Sequence, residues 1–454
     1  MPSRASDTIG FSVSRRPSIT IWHAALFLPW VVAAVSLRRT FNDNSYMWHV
    51  RAGDLQIADG AVITTDPFSY TMLGTPWRTQ SWLAELAYSR IDDVAGLDGA
   101  RVLVTLLAAL LFVLLGLIAY RQSRSVISVV LYLVGSAIVI AGFLVPRPVI
   151  FSFPLMAAVV LADGDRRLRW GLPLLLWVWA SVHGSFAIGL AYLGLRAIGR
   201  GLGWRRLFEL VFIGLPTLLT AHGLGALEVL MDFFGNREAL DYISEWATPE
   251  LLSFPLLPLF LGILALIWLG MRGNLRLSDW WVVVPFLALA FSANRAVPPA
   301  WIGLAPIMSR VRLPTPTSSV RWPIAATLGG VLLVGPFLLP FETVIDETRF
   351  PVEAAKHLET ERVFHDDAVG GWLVYTQWPD RLVYIDDRAE LFGERIGLFF
   401  NLRNARADWR EEFAQFGIEE ALLRGPDPLT RLLVADGWRT TYEDEDFVIL
   451  RPPA

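Results

Sequence analysis

The sequence predicts a polytopic α-helical membrane protein with a small C-terminal α/β domain. Three observations lead there. Of 454 residues, 54% are hydrophobic and 18% charged, with a mean hydropathy of +0.46, whereas soluble domains carry about 25% charged residues. The apolar residues collect in long runs within residues 1–341. The charge also divides: residues 342–454 hold 24 acids against 13 bases, and residues 1–341 hold 19 against 26. A basic, apolar body and an acidic, polar tail predict a membrane domain at 1–341 and a soluble domain at 342–454.

Eleven hydrophobic spans are expected, near 19–37, 99–120, 126–145, 149–162, 170–182, 185–199, 206–221, 251–270, 280–294, 297–309 and 323–341. Several are shorter than the ~20 residues that cross a bilayer alone. Arginines orient them, because cytoplasmic loops attract basic residues. Arg121 and Arg124, Arg166 to Arg169, Arg200 to Arg206, Arg272 and Arg276, and Arg310 to Arg321 fall in alternate loops. The N-terminal tail carries Arg4, Arg15 and Arg16, and Arg38 and Arg39 are the exception to the alternation. This pattern puts the N-terminus in the cytoplasm and the C-terminal domain outside it. No small-residue cleavage site follows the first span, which reads as an anchor.

Cysteine is absent, which excludes disulfides, thiolate metal ligands and a thiol nucleophile. The net charge of −4 gives no reason to expect a nucleic-acid partner.

Residues 40–99 form a large first outside loop. Within it, 45–58 and 80–94 show helical spacing of apolar residues, and both read as interfacial helices along the outer membrane surface. Asp66 before Pro67 reads as a turn. Asp43, His49, Arg78, Glu85, Arg147, His183, Glu245 and Arg295 all map to the outer side. Ionisable residues at membrane depth are costly and usually face a cavity or pathway. The expectation is one cavity open to the outside and to the outer leaflet.

In the tail, 362–365, 382–385 and 419–423 read as strands, and 351–358, 408–416 and 428–435 as helices. A terminal hairpin is expected at 438–441 and 447–450. Asp386, Asp387 and Arg388 would end a central strand, a position for a ligand-facing group or an ion pair. No Gly-rich phosphate loop or Gly-x-Ser-x-Gly is present, so nucleotide binding and serine hydrolysis lack support.

With these residues assembled, the chain resembles bacterial GT-C-type glycosyltransferases. The resemblance is carried by Asn42, Asp43, Asn44, His49 and Gly53, then by Asp66 to Thr71 and Gln80 to Glu85. Arg147 with Pro148, Trp179 to Gly184, Glu245 with Trp246, and Arg295 continue it. In the tail, Gly370 to Leu373 and Tyr384 to Arg388 complete it. It implies an inverting enzyme that moves a sugar from a polyprenyl-phosphate donor to a surface glycan, lipid or protein. Such an enzyme would sit among membrane lipids at the outer face of the bacterial cytoplasmic membrane.

Family logic places the general base in the first loop, and Asp43 is the first choice. The same three residues, Asn42 to Asn44, equally suit a helix cap. Arg147 and Arg295 suit the lipid phosphate, because arginine binds phosphate bidentately; headgroup snorkelling or pairing with Glu245 is the plainer reading. His49 and His183 read as phosphate ligands or as satisfied structural groups. Glu85, on the polar face of its helix, reads first as solvated. Asp43, His49, Asp66 and Glu85 together offer hard ligands, which suit Mg²⁺ or Mn²⁺ better than zinc. A transporter or flippase for a lipid-linked substrate, or a non-catalytic assembly protein of the same architecture, are the alternatives. A transporter would need polar residues through the membrane depth, and this chain has few in mid-span.

Overall fold

The computed structural model describes residues 21–36, 40–223, 244–250, 256–314, 322–338 and 343–453. Arg4, Arg15, Arg16, Arg38, Arg39 and Arg321, used above for orientation, lie outside these residues. Each predicted hydrophobic run carries helix. Helices α1 (Ile21–Ala25) and α2 (Leu28–Ser36) come first. Helix α3 (Asn44–Asp59) follows in the outside loop, then α4 (Trp82–Ser123), α5 (Val126–Ile140), α6 (Val149–Asp163), α7 (Leu172–Val182), α8 (Phe186–Gly199) and α9 (Trp204–Gly214). Helices α10 (Leu257–Met271), α11 (Leu277–Ser292), α12 (Val297–Met308) and α13 (Trp322–Leu338) complete the set before the tail.

Among the described residues, two helices are long and apolar enough by themselves to cross a bilayer: α4, and α5 with its extension to Phe143. At 1.5 Å per residue the 18 residues from Val126 to Phe143 span about 27 Å, close to the hydrocarbon thickness. The apolar helices α6, α7, α8, α10 and α11 are shorter. Exposed Leu106, Val113, Leu131, Leu261, Ile267 and Val284 give α4, α5, α10 and α11 an apolar outer surface, as expected of helices facing lipid.

The two ends of this bundle differ. At one end Asp163 of α6 accepts from Arg196 at 3.0 Å and Arg200 at 2.6 Å, and Asp279 of α11 accepts from Arg310 at 2.9 Å. Arginines read as loop markers are thus also clasped by buried carboxylates. Because α6, α8, α11 and α12 each run from one end to the other, Arg147, His183 and Arg295 sit at the opposite end.

There the first loop departs from the interfacial reading. Asp43 caps α3, its Oδ1 accepting the Tyr46 N–H at 3.1 Å, and Gly60 ends the helix in the left-handed region (φ 62°). Tyr46, Met47, Trp48, His49 and Val50 are all at most 6% exposed. Those positions point around the whole circumference, so α3 is enclosed rather than laid on a surface. Two glycines permit this. A Cβ on Gly53 would come within 2.2 Å of the Glu85 carbonyl oxygen in α4, and one on Gly371 within 2.2 Å of the Asn44 carbonyl oxygen. The second predicted loop helix does not stop at Val94; it continues as α4 across a break at Gly96 (φ 55°, ψ −145°).

The tail supplies the other side of α3 through α14 (Asp367–Gln377). Its sheet has four strands, β1 (Val363–His365), β2 (Glu420–Leu423), β3 (Arg439–Glu443) and β4 (Val448–Arg451), in the order β1-β2-β4-β3. β1 and β2 are parallel and the other pairings antiparallel. Helices α15 (Ala389–Phe392), α16 (Glu394–Arg403), α17 (Trp409–Phe416) and α18 (Pro428–Ala435) pack around it. The strand expected at 382–385 is absent from this sheet. Val383 bonds instead to the first loop, donating to the Phe68 carbonyl at 2.9 Å and accepting from the Tyr70 N–H at 3.0 Å. Phe41 pairs likewise with Ile345. Loop and tail therefore share one core.

Candidate functional site

A cavity of about 410 Å³ opens where three regions meet, within the ~300–1,000 Å³ usual for small-molecule sites. The first loop contributes Asn44, Ser45, Trp48, His49 and the segment 79–81. The helix ends contribute Arg147, His183, Glu245 and Arg295. The tail contributes Arg349, Asp367, Asp386, Asp387 and Glu390.

The cations lie on the membrane side. Arg147, just before α6, donates from Nε to Asp43 Oδ2 at 2.7 Å and from Nη1 to Glu245 Oε1 at 2.9 Å. Arg295, just before α12, stacks on Trp246 with its guanidinium carbon 4.6 Å from the ring centroid. A backbone bond from Asn294 N to the Ala247 carbonyl, 2.9 Å, ties these two short segments together.

Each histidine is held by one ring nitrogen. His49 Nδ1 lies 2.9 Å from Glu85 Oε1. Glu85 also accepts from the Thr79 hydroxyl and, at 2.5 Å, from Gln56 Nε2. Its residue is 0% exposed, which corrects the solvated reading. The polar face of this helix turns onto α3, and Glu85 fixes His49 from behind the wall. His183 Nδ1 accepts the Ser185 N–H at 3.1 Å, leaving Nε2 as the atom a ligand would meet.

The carboxylates of the tail lie opposite. Asp387 accepts from the Ser45 hydroxyl and from Trp48 Nε1 at 2.7 Å. Glu390 accepts from Trp77 Nε1 at 3.2 Å. Asp367 starts α14 with its backbone carbonyl bonded by Asn44 Nδ2 at 2.9 Å. Burial, its bond with Asp366 and the nearby charges of Asp366 and Asp387 push the Asp367 carboxyl well above the usual range. Burial acts on Asp366 too, but the bond with Asp367 and the charge of Arg403, 2.8 Å away, outweigh it and hold Asp366 low.

Five predicted residues, Glu85 among them, are not on the wall. Asp43 stands behind Arg147. Arg78 is exposed elsewhere on the loop. Asp66 and Arg388 form a sealed ion pair: Arg388 Nη1 is 2.7 Å from Asp66, and its Nη2 is 2.6 Å from Asp386, with all three side chains 0% exposed. Asp66 also closes the predicted turn, accepting the Phe68 and Ser69 N–H groups at 3.1 Å. The Trp77 ring centroid lies 4.5 Å from the Arg388 guanidinium carbon. Asp386 touches the cavity while both its oxygens face Arg388; burial pushes its carboxyl up to about 6 against the pull of that arginine. The expected strand-end position is replaced by this loop-to-tail clasp, because segment 382–385 bonds to the loop.

Asp43, His49, Asp66 and Glu85 do not converge. His49 and Glu85 bond each other, while Asp43 turns to Arg147 and Asp66 to Arg388, and among the described residues no group of three or more His, Asp or Glu side chains is placed to hold a metal ion. Sequence reasoning missed Arg349, Asp367 and Glu390 as wall residues, whereas Asp387, named with Asp386 as a candidate ligand-facing group, is on the wall. For Asp367 a signal existed: Asp366 and Asp367 precede an apolar run in the pattern of a helix start.

No family model matches the chain, and no curated protein matches it in sequence. Solved structures that share its fold include two membrane enzymes. The oligosaccharyltransferase of Archaeoglobus fulgidus is 11% identical with a TM-score of 0.54, covering 89% of this chain and 70% of its own. ArnT from Cupriavidus metallidurans is 15% identical with a TM-score of 0.54, covering 95% of this chain and 97% of its own. Both are GT-C glycosyltransferases, and what this chain shares with them is the fold.

Proposed function

We propose that the protein is a glycosyltransferase that moves a sugar from a polyprenyl-phosphate donor to a surface glycan, lipid or protein. It works at the outer face of the bacterial cytoplasmic membrane, with its N-terminus in the cytoplasm and its tail domain outside. The observation that carries this reading is the two-sided cavity: Arg147 and Arg295 from helix ends face tail carboxylates across about 410 Å³. The fold shared with an oligosaccharyltransferase and ArnT supports the transferase class.

In the proposed reaction the acceptor O–H gives its proton to the Asp43 carboxylate. The acceptor oxygen bonds to the anomeric carbon with inversion, and the bond from that carbon to the phosphate oxygen breaks. Its electron pair leaves on polyprenyl phosphate, whose charge Arg147 and Arg295 hold. His49 and His183 complete the donor side, and the tail side receives the acceptor. The test uses the full chain in lipid nanodiscs with radiolabelled polyprenyl-phosphate sugars and a lipid extract as acceptor. Asp43→Asn is expected to cut transfer at least about 100-fold, the usual share of a general base, with an unchanged unfolding midpoint. Full transfer by that variant removes Asp43 as base.

A further inference from the structure

The proposed base is not accessible as it stands. Asp43 Oδ1 is committed to the Tyr46 N–H and Oδ2 to Arg147 Nε. Its side chain is 6% exposed, whereas that of Arg147 is 28% exposed and forms part of the wall. A hydroxyl entering the cavity therefore meets Arg147 before it meets Asp43.

We infer that Arg147 exchanges partners: it covers Asp43 in the free protein, and an arriving donor phosphate draws it away, so that the base is uncovered only in the donor complex. The guanidinium is already shared between two carboxylates, Asp43 and Glu245, carried by separate segments. Glu245 is the looser of the two, with its side chain 41% exposed. A phosphate offers more acceptor oxygens than a carboxylate and as much charge or more, and it matches the planar fork bidentately. Arg295, in the same wall and stacked on Trp246, adds a second cation. Phosphate thus gains two cations where Asp43 has one. Asp43 keeps its Tyr46 bond through Oδ1 and is left with Oδ2 to accept a proton.

This imposes an order. The donor binds first, and only then does the site hold a carboxylate able to take the acceptor proton. The identity of the anion as a lipid phosphate rests on the transferase reading; the exchange itself does not.

The experiment labels carboxyl groups of the full chain in nanodiscs with a water-soluble carbodiimide and glycine ethyl ester, and reads Asp43 by peptide mass spectrometry. Wild type is expected to label slowly alone and about tenfold faster with added polyprenyl phosphate, as a population shift of that size requires. Arg147→Met is expected to label at the fast rate with no ligand. Arg147→Lys, which keeps the charge but loses the fork, serves if the first variant has a lowered unfolding midpoint, and is expected to label faster than wild type. An equal rise with inorganic phosphate keeps the exchange and overturns the lipid as its source. No rise with either phosphate overturns the exchange. The transfer assay is read separately: labelling that responds in a protein with no transfer sinks the transferase reading alone, and transfer with unresponsive labelling sinks the exchange alone.

Discussion

Arg388 and Arg147 are the same device in two settings. Each guanidinium lies between two carboxylates from separate parts of the chain: Asp66 and Asp386 for one, Asp43 and Glu245 for the other. Arg388 is sealed, 0% exposed and walled by Trp48, Phe68 and Trp77. Arg147 is 28% exposed and borders the cavity. A sealed triad has no competitor for its arginine and can only hold segments together. An open triad admits a competing anion. What separates a clasp from a site here is solvent access, not the set of residues.

The comparison can be broken most strongly at the sealed triad. Arg388→Met leaves Asp66 and Asp386 buried without their counter-charge, and is expected to cost about 3–5 kcal/mol. Thermal unfolding followed by tryptophan fluorescence would check it; a midpoint like that of wild type would mean the triad holds nothing. Arg147→Met should behave in the opposite way. Its stability loss is expected to stay below that of Arg388→Met, because Glu245 remains solvated and Asp43 keeps its bond from the Tyr46 N–H, while transfer falls at least about 100-fold. Equal stability losses for the two arginines would erase the distinction.

A finer version lies on either side of Asp366. His365 is sealed at 0% exposure. Its Nε2 accepts the Tyr384 N–H at 2.9 Å and its Nδ1 donates to the Asp366 carbonyl at 2.9 Å, so the neutral ring is required. Burial lowers it to about 4. A cation-forming group depressed in the folded state is protonated first in the unfolded chain. Stability is therefore expected to fall as pH drops below about 6.5, by about 2 kcal/mol at pH 5. Unfolding midpoints of wild type and His365→Gln across this range would check it, since the variant should lack this part of the slope.

Asp367, on the cavity side, has the opposite sign. Its folded-state carboxyl is raised, chiefly by burial, so its contribution is present at low pH and lost as pH rises. Asp367→Asn should raise the midpoint at pH 8, with the gap closing below about pH 4. A gap that persists at low pH would assign the effect to packing instead.

Much of the membrane part was legible because it follows from composition. The apolar runs gave the helices, and the concentration of Arg147, His183, Glu245 and Arg295 at one level gave four wall residues. The remainder was hidden for identifiable reasons. Periodicity reports that α3 has an apolar face, but it does not report that Gly53 and Gly371 admit neighbours on two further sides. Segment 382–385 has strand composition, yet its partner is Phe68 to Tyr70, about 300 residues earlier, and no local pattern encodes that pairing. Asp43 was correctly legible as a helix cap. That Arg147 lies over it depends on how α6 begins, which spacing alone does not fix.

The two bridges between the first loop and the tail, Phe41 with Ile345 and Ser69 with Val383, bear on how such a protein can be recombined. Residue 342 looks like a seam at which tails could be exchanged between homologous chains. The bridges make it a false one. A foreign tail would have to bring a match for Phe68 and Tyr70, a glycine against Asn44 and an arginine for Asp66. Loop 40–99 and tail 343–453 therefore constitute one heritable unit split by the whole membrane bundle, and chimeras should keep them from the same parent.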